Sequence, residues 1–431
     1  MKRPWCVLPF IHMYASDPKW DDKVCCVATK YIKTYKDSLD TWLEDKWTGE
    51  YMVDLRKRML DDNATLPECS ECSSIEKSGG KSDRIKMNEK YLDDLIPNIE
   101  TGNQYDKPTY WDLRPGNLCN LQCRMCGPPS SSQLNKENTN NEVLKEQYPA
   151  EHLYEASLTV PNGCSWSTDN NMNYIQDSLP NTEYIKFLGG EPTIMPEVDR
   201  LMDNMISTGI SETLPRLHIT TNGTNINRKF YDKINKFKNV DITLSIDGTD
   251  STVEYIRHPL NFKKFVSNFK ELREETNVSI AFNCAVQPLN LHNMLEFSKW
   301  VLENSDSNVN LTFVKVHHPE EHSMHVLPDE YRKYHCEKIL SDDIINDPRI
   351  KNSGLEGIIS RTHEDEFKQE LYNKFIIKTA LLDITRNQSI KDFIPELWDI
   401  IAVDYKTYRY DLKFNKNETK LRPDWILHEK N

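Results

Sequence analysis

Glycine is scarce in this sequence, with 14 residues in 431, while asparagine and aspartate are plentiful. Turns must therefore lean on Asn and Asp, which also tolerate left-handed backbone. No run of eighteen or more apolar residues occurs, so a membrane-spanning helix is not expected. The N-terminus MKRPWCVLPF has neither the apolar stretch nor the small-residue cleavage site of a secretory signal. A cytoplasmic location without membrane association is the expectation. Positive charge is in deficit: 54 Lys and Arg against 67 Asp and Glu leave a net charge of −13. That charge repels a phosphate backbone and disfavours bulk nucleic-acid binding, tRNA included. No internal repeat is present. The length suits a large central domain with appendages, or two to three modules.

Against this background eleven cysteines stand out. Eight fall in two sets, and only Cys164, Cys284 and Cys336 stand alone. Two- and three-residue gaps between cysteines of a cytosolic chain point to metal rather than to disulfides.

Six short apolar runs between residues 109 and 316 read as buried strands: TYWDLR (109–114), YIKFL (184–188), RLHIT (216–220), DITLSI (241–246), VSIAFNCAV (278–286) and VNLTFVKV (309–316). Stretches with helical spacing separate most of them, such as EVDRLMDNMISTG and NFKKFVSNFKELREE. This alternation predicts an α/β fold with a parallel sheet, as an open sheet or a partial barrel. The first crossover, 127–181, is long and rich in Asn and Ser, so it carries an insertion above the strand ends, where binding loops collect. Residues 1–80 combine five cysteines with weak periodicity, which suggests a small domain held by metal rather than by a core. Residues from about 328 to 403 read as helices.

The first of the six runs ends at RPGNLCNLQCRMCGPPSS, which sets Cys119, Cys123 and Cys126 in a loop at the C-terminal end of a parallel strand, where active sites of such folds gather. Three thiolates can hold three irons of a cubane cluster and leave the fourth open to a small molecule. The bland alternative is a zinc knuckle that borrows a distant fourth ligand; no His lies between Lys107 and His152 to supply one.

CNLQCRMC resembles the CxxxCxxC signature of the radical S-adenosylmethionine (SAM) superfamily. FLGGEPT, TTNGT and SIDGTDSTVEYIR resemble further motifs of that family, in family order at successive strand ends. Met125 departs from the aromatic residue often found there. The resemblance spans about residues 109–316. It implies a partial (β/α)6 TIM-type barrel, a [4Fe–4S] cluster with an open iron on Cys119, Cys123 and Cys126, and reductive cleavage of SAM to a 5′-deoxyadenosyl radical that abstracts a substrate hydrogen. It implies cofactor contacts from the backbone of Met125 (adenine), from Gly189, Gly190 and Glu191 (SAM amino group), and from Ser245 and Arg257 (methionyl carboxylate). Thr220, Thr221, Asn222 and Asn283 are expected near SAM. An external electron donor such as a flavodoxin or ferredoxin is implied as well. Physically, Gly189 and Gly190 suit a close approach of backbone to a ligand, Glu191 an ammonium partner, and a hydroxyl with a guanidinium the grip of a carboxylate. Taken singly, the GGEP segment could be an ordinary turn and Arg257 a solvated side chain.

Cys6, Cys25, Cys26, Cys69 and Cys72 form the second set. CxxC with two remote cysteines makes a good four-thiolate site. Five candidates compete for four positions; Cys6, Cys25, Cys69 and Cys72 are favoured, with Cys26 as the alternate. The arrangement resembles the SPASM and twitch auxiliary-cluster domains, here placed before the barrel. The resemblance implies an auxiliary [4Fe–4S] cluster, with structural zinc as the alternative. The expected domains are 1–100 auxiliary, 101–326 radical SAM core and 327–431 helical. Auxiliary domains of this kind accompany peptide or protein modification, which is the first reading of the substrate. A sugar, nucleotide or other small metabolite is the second, and a non-catalytic iron–sulfur electron carrier is a third reading of another class. Cys284 and Cys336 are expected to be core residues. Cys164 lies in the insertion over the active face, where it could contact substrate or donate hydrogen, and His317, His318, His322 and His325 are expected in a solvated loop.

Overall fold

The structure, a computed structural model, describes residues 5–17, 22–32, 34, 39–61, 66–77, 80–100, 106–140 and 166–414. Cys164 and the middle of the long insertion lie outside the described residues.

Seven parallel strands form one sheet in the order β1 to β7. Six of them, β2 (Tyr110–Leu113), β3 (Tyr184–Phe187), β4 (Arg216–Thr221), β5 (Val240–Ser245), β6 (Ser279–Val286) and β7 (Asn310–Lys315), fall on the six apolar runs. The seventh, β1 (His12–Ala15), comes from the cysteine-bearing N-terminal segment and pairs in parallel with β2, His12 against Tyr110 and Ala15 against Leu113. The strand order decides between the two architectures that periodicity left open. Parallel neighbours joined in chain order by right-handed crossovers keep every connecting helix on one face, which curls the sheet into a partial barrel.

Alternation along the strands confirms the two-faced sheet. Trp111, Ile185, Phe187, Leu217, Ile219, Ile242 and Leu244 are buried against helices such as Pro196–Ser207 and Phe262–Glu275. The opposite face carries the half-buried Lys186, His218, Thr220, Thr243, Ser245 and Asn283. Helices Asp329–Leu340, Leu355–Glu364, Gln369–Thr385 and Pro395–Phe414 make up the C-terminal region. Cys284 and Cys336 are fully buried, as expected of core residues.

The N-terminal segment differs from the coreless one expected. Val7, Phe10, Ile11, Val24, Met52, Leu55 and Met59 form a small apolar cluster of their own, and Arg56 ties it to the chain by donating to the carbonyls of Pro9 (2.7 Å) and Trp47 (2.8 Å). No helix among the described residues is long and apolar enough to cross a membrane.

Trp111 is fully buried in β2, with its ring edge-on to Tyr174 at 6.1 Å. Trp111→Ala is expected to cost about 3–5 kcal/mol, read as a lower midpoint of urea unfolding at unchanged slope.

Candidate active site

The loop that follows β2 carries the three central cysteines. Cys119 and Cys123 are buried and Cys126 is half-buried. Burial pushes the Cys119 thiol up to about 12. Cys123 accepts a hydrogen bond from Cys126, which holds Cys123 below its ordinary value and drives Cys126 above it. The loop backbone is pinned on one side by the chain after the helix Asp250–Ile256: Gln122 N donates to His258 O at 2.6 Å and Arg124 N to Ile256 O at 2.8 Å. Arg124, between the second and third cysteines, is 1% exposed. It donates to Tyr255 O at 3.0 Å, to Asp383 at 2.6 Å and to Gln388 at 2.9 Å, and lies over the Tyr255 ring at 3.6 Å.

A second attachment comes from GGEP. Gly189 has φ +112°, and a Cβ there would stand 2.7 Å from Gly116 O; one on Gly190 would collide with the Leu118 carbonyl. These glycines therefore let the GGEP backbone lie directly against that of the cysteine loop. Gly190 N donates to Gly116 O (3.0 Å) and Glu191 N to Leu118 O (2.8 Å). Glu191, 1% exposed, accepts from Thr193 N and Oγ1 (3.1 and 2.7 Å) and from Thr221 Oγ1 (2.6 Å) on Oε1, and from Asn222 N (2.7 Å) on Oε2. Burial raises its carboxyl above the usual range against the pull of these bonds. Asn222 closes the triangle by donating to Asn120 at 3.0 Å, inside the cysteine loop. Glu191, Thr221 and Asn222 are thus brought together with the cysteines, while Thr220 sits on the polar face of β4.

Arg257 is buried rather than solvated. Its Nε donates to Asp247 at 2.7 Å, and Asp247, fully buried, also accepts from Ala285 N at 2.8 Å. Burial alone would lower the guanidinium; the adjacent Asp247 charge outweighs it and raises it. Arg257 lies within electrostatic reach of Cys119, Cys123 and Cys126, and its two terminal nitrogens have no partner among the described residues. Ser245 pairs in register with Asn283 and Asn283 with Thr312, a polar row at the top of β5 to β7. Met125 is packed partly buried against the main core. A cavity of about 110 Å³ opens beside Cys126, lined among others by Arg124, Leu134, Glu321 and Lys378.

Sequence reasoning missed Asp247 and Asp383. The first had a signal, an acid ten residues before an arginine in one motif; the second has none, since it lies 259 residues from its partner. Among the four clustered histidines, His322 is 2% exposed, against the solvated loop expected, with Nδ1 at 3.2 Å from Gln287.

In the N-terminal set, Cys6 is an electrostatic neighbour of Cys72, Cys25 of Cys6 and Cys69, and Cys69 of Cys6 and Cys72. Burial pushes Cys6 and Cys69 up to about 12. Cys26 is the foremost electrostatic neighbour of Cys25 and is also within reach of Asp112, Arg114 and Lys186 on the polar face of the sheet. Among the described residues no three His, Cys, Asp or Glu side chains converge on a point that a single metal ion could take.

Arg124→Met leaves the Asp383 carboxylate buried without its cation. It is expected to destabilise the protein by about 3–5 kcal/mol, and Arg124→Met with Asp383→Leu by less than the sum of the two single changes, measured by a double-mutant cycle in urea.

Residues 113–301, less than half of the chain, match the Radical SAM superfamily. No curated protein matches the chain. Among solved structures, Streptococcus suis SuiB bound to S-adenosylmethionine is 14% identical, with a TM-score of 0.38 over 66% of this chain and 61% of that one. Native anSMEcpe with bound AdoMet and Cp18Cys peptide is 15% identical, with a TM-score of 0.37 over 64% and 65%. The chain thus spans under two thirds of the length of either. The superfamily match gives the chain a radical SAM domain, which is the domain of an enzyme.

Proposed function

From the premise of an enzyme with a radical SAM domain, we propose that the chain reductively cleaves SAM to a 5′-deoxyadenosyl radical and abstracts a substrate hydrogen, in peptide or protein modification. The free fork of Arg257 beside three cysteines carries the reading. A guanidinium fixed by Asp247 through Nε presents its remaining edge to a carboxylate in bidentate geometry.

The donor set fits the groups the domain requires. Three thiols in one buried loop suit three irons of a four-iron cluster and leave one iron for SAM. Deprotonating thiols that burial and mutual hydrogen bonding keep protonated is the work of metal binding. When bound, cluster and SAM together supply the one-electron chemistry; the protein binds, orients and excludes water. Arg257 and Ser245 take the methionyl carboxylate. Glu191 Oε2, with one bond from Asn222, has a lone pair for the amino group. The backbone of Met125 faces the adenine, and Thr220, Thr221, Asn222 and Asn283 line the SAM site. Cys6, Cys25, Cys69 and Cys72 hold an auxiliary [4Fe–4S] cluster in a SPASM- or twitch-like segment, with Cys26 as the alternate. That auxiliary set favours a peptide or protein substrate. A flavodoxin or ferredoxin supplies the electron, and the cytoplasm is the location.

The test is anaerobic reconstitution, iron and sulfide counting, and an assay for 5′-deoxyadenosine under dithionite. About eight irons with product support both clusters. About four with product would leave the N-terminal cysteines without an iron cluster, as zinc would. Cys123→Ala is expected to abolish product; a wild-type protein that loads iron yet never cleaves SAM is an electron carrier, and the proposal fails.

A further inference from the structure

The polar face of the sheet holds a charge that SAM binding leaves unused. Lys186 stands in β3, in register with Asp112 of β2 and His218 of β4. It is half-buried, and its ammonium has no hydrogen-bond or ion-pair partner among the described residues. Asp112, across the rung and 2% exposed, is paired instead with Arg114 at 3.4 Å. His12 and His218 on the flanking strands are held at about 4 by burial and are neutral near pH 7. His218 is satisfied by Tyr184 (2.5 Å) and Thr243 (2.8 Å). His12 is not: it is 3% exposed, its ring lies edge-on to Tyr110 at 4.6 Å, and its Nδ1 has no partner among the described residues. Cys26 bounds the same space, an exposed thiol within electrostatic reach of Asp112, Arg114 and Lys186.

An ammonium partly removed from water and left unpaired is unfavourable, and so is a buried ring nitrogen without a partner. Both point to a group that enters from outside. The one unpaired cation among these groups is Lys186, and a single ammonium matches an anionic oxygen group. A phosphate is ordinarily met by an arginine fork or a ring of backbone amides at a helix N-terminus, whereas here the arginine is already engaged by Asp112 and Lys186 is left as a single point charge.

We propose that Lys186, with Arg114 and His12 Nδ1 beside it, binds a carboxylate of the substrate on the inner face of β1 to β4. The assignment rests on the proposed function in placing substrate on that face. For a peptide substrate the carboxylate is an Asp or Glu side chain or a C-terminus.

Cys26 supplies a reporter that needs neither SAM nor substrate. Reconstituted protein is treated anaerobically with iodoacetate or with neutral iodoacetamide, and the labelling rate at Cys26 is followed by peptide mass mapping. The iodoacetate-to-iodoacetamide rate ratio is expected to fall by about fivefold or more in Lys186→Met, the effect of one nearby charge, and to be kept in Lys186→Arg. In the wild-type protein, propionate is expected to slow iodoacetate labelling of Cys26 more than inorganic phosphate does. A ratio unchanged in Lys186→Met, or phosphate protecting better than propionate, overturns the proposal. SAM cleavage is not read in this experiment, so it fails independently of the proposed radical chemistry.

Discussion

Asp383 is a fully buried carboxylate on which four separate stretches of chain converge, and the position of the cysteine loop depends on it. Its Oδ1 accepts from Arg124 and from Tyr255 at 2.8 Å; its Oδ2 accepts from Ile390 N at 2.8 Å and Tyr405 at 2.7 Å. A carboxylate is tolerated in such a place only when its lone pairs are taken and a cation is beside it. The arrangement is therefore all or nothing. It commits the C-terminal helices to a task that their location outside the sheet does not suggest: they fix the residue between the second and third cysteines. The loop adds Leu121 to the main core, and the Arg124 tie fixes it from the other side.

Glu191 plays the matching part on the other side. One carboxylate is shared by its own turn, through Thr193, and by the turn after β4, through Thr221 and Asn222. Asn222 in turn reaches Asn120. Three loops at successive strand ends are thereby locked together by side chains, with Gly189 and Gly190 giving the room for backbone to lie against backbone. The same glutamate retains one lightly used oxygen, so holding the loops in place and meeting a ligand are compatible duties.

What was legible in the sequence followed from local order. The six apolar runs, their helical spacers and the cysteine spacing are properties of a few consecutive residues, and all six strands appear where those runs lie. β1 escaped because four residues, HMYA, show no period, and what makes them a strand is the edge of β2 nearly a hundred residues later. The Arg124–Asp383 tie escaped for the same reason at greater range. His322 was read from polarity as solvated; packing beside Gln287 and the Phe375 ring overrides that. Arg257, weak on its own, gained its role in the sequence from the motif around it, and the structure adds the Asp247 that fixes its Nε. The need for a bare Cα at Gly189 and Gly190 was legible in the sequence, whereas the loop backbone that lies against them was not, since it belongs to a different strand end.

The pairing of β1 with β2 has a mechanical meaning. A segment joined to a sheet residue by residue, from His12 against Tyr110 to Ala15 against Leu113, transmits displacement without slack, as a welded plate does and a hinged flap does not. The segment that carries the N-terminal thiols is then fastened directly to the strand whose end bears the central cysteine loop. The N-terminal segment is in that sense part of the frame of the sheet rather than an appendage to it.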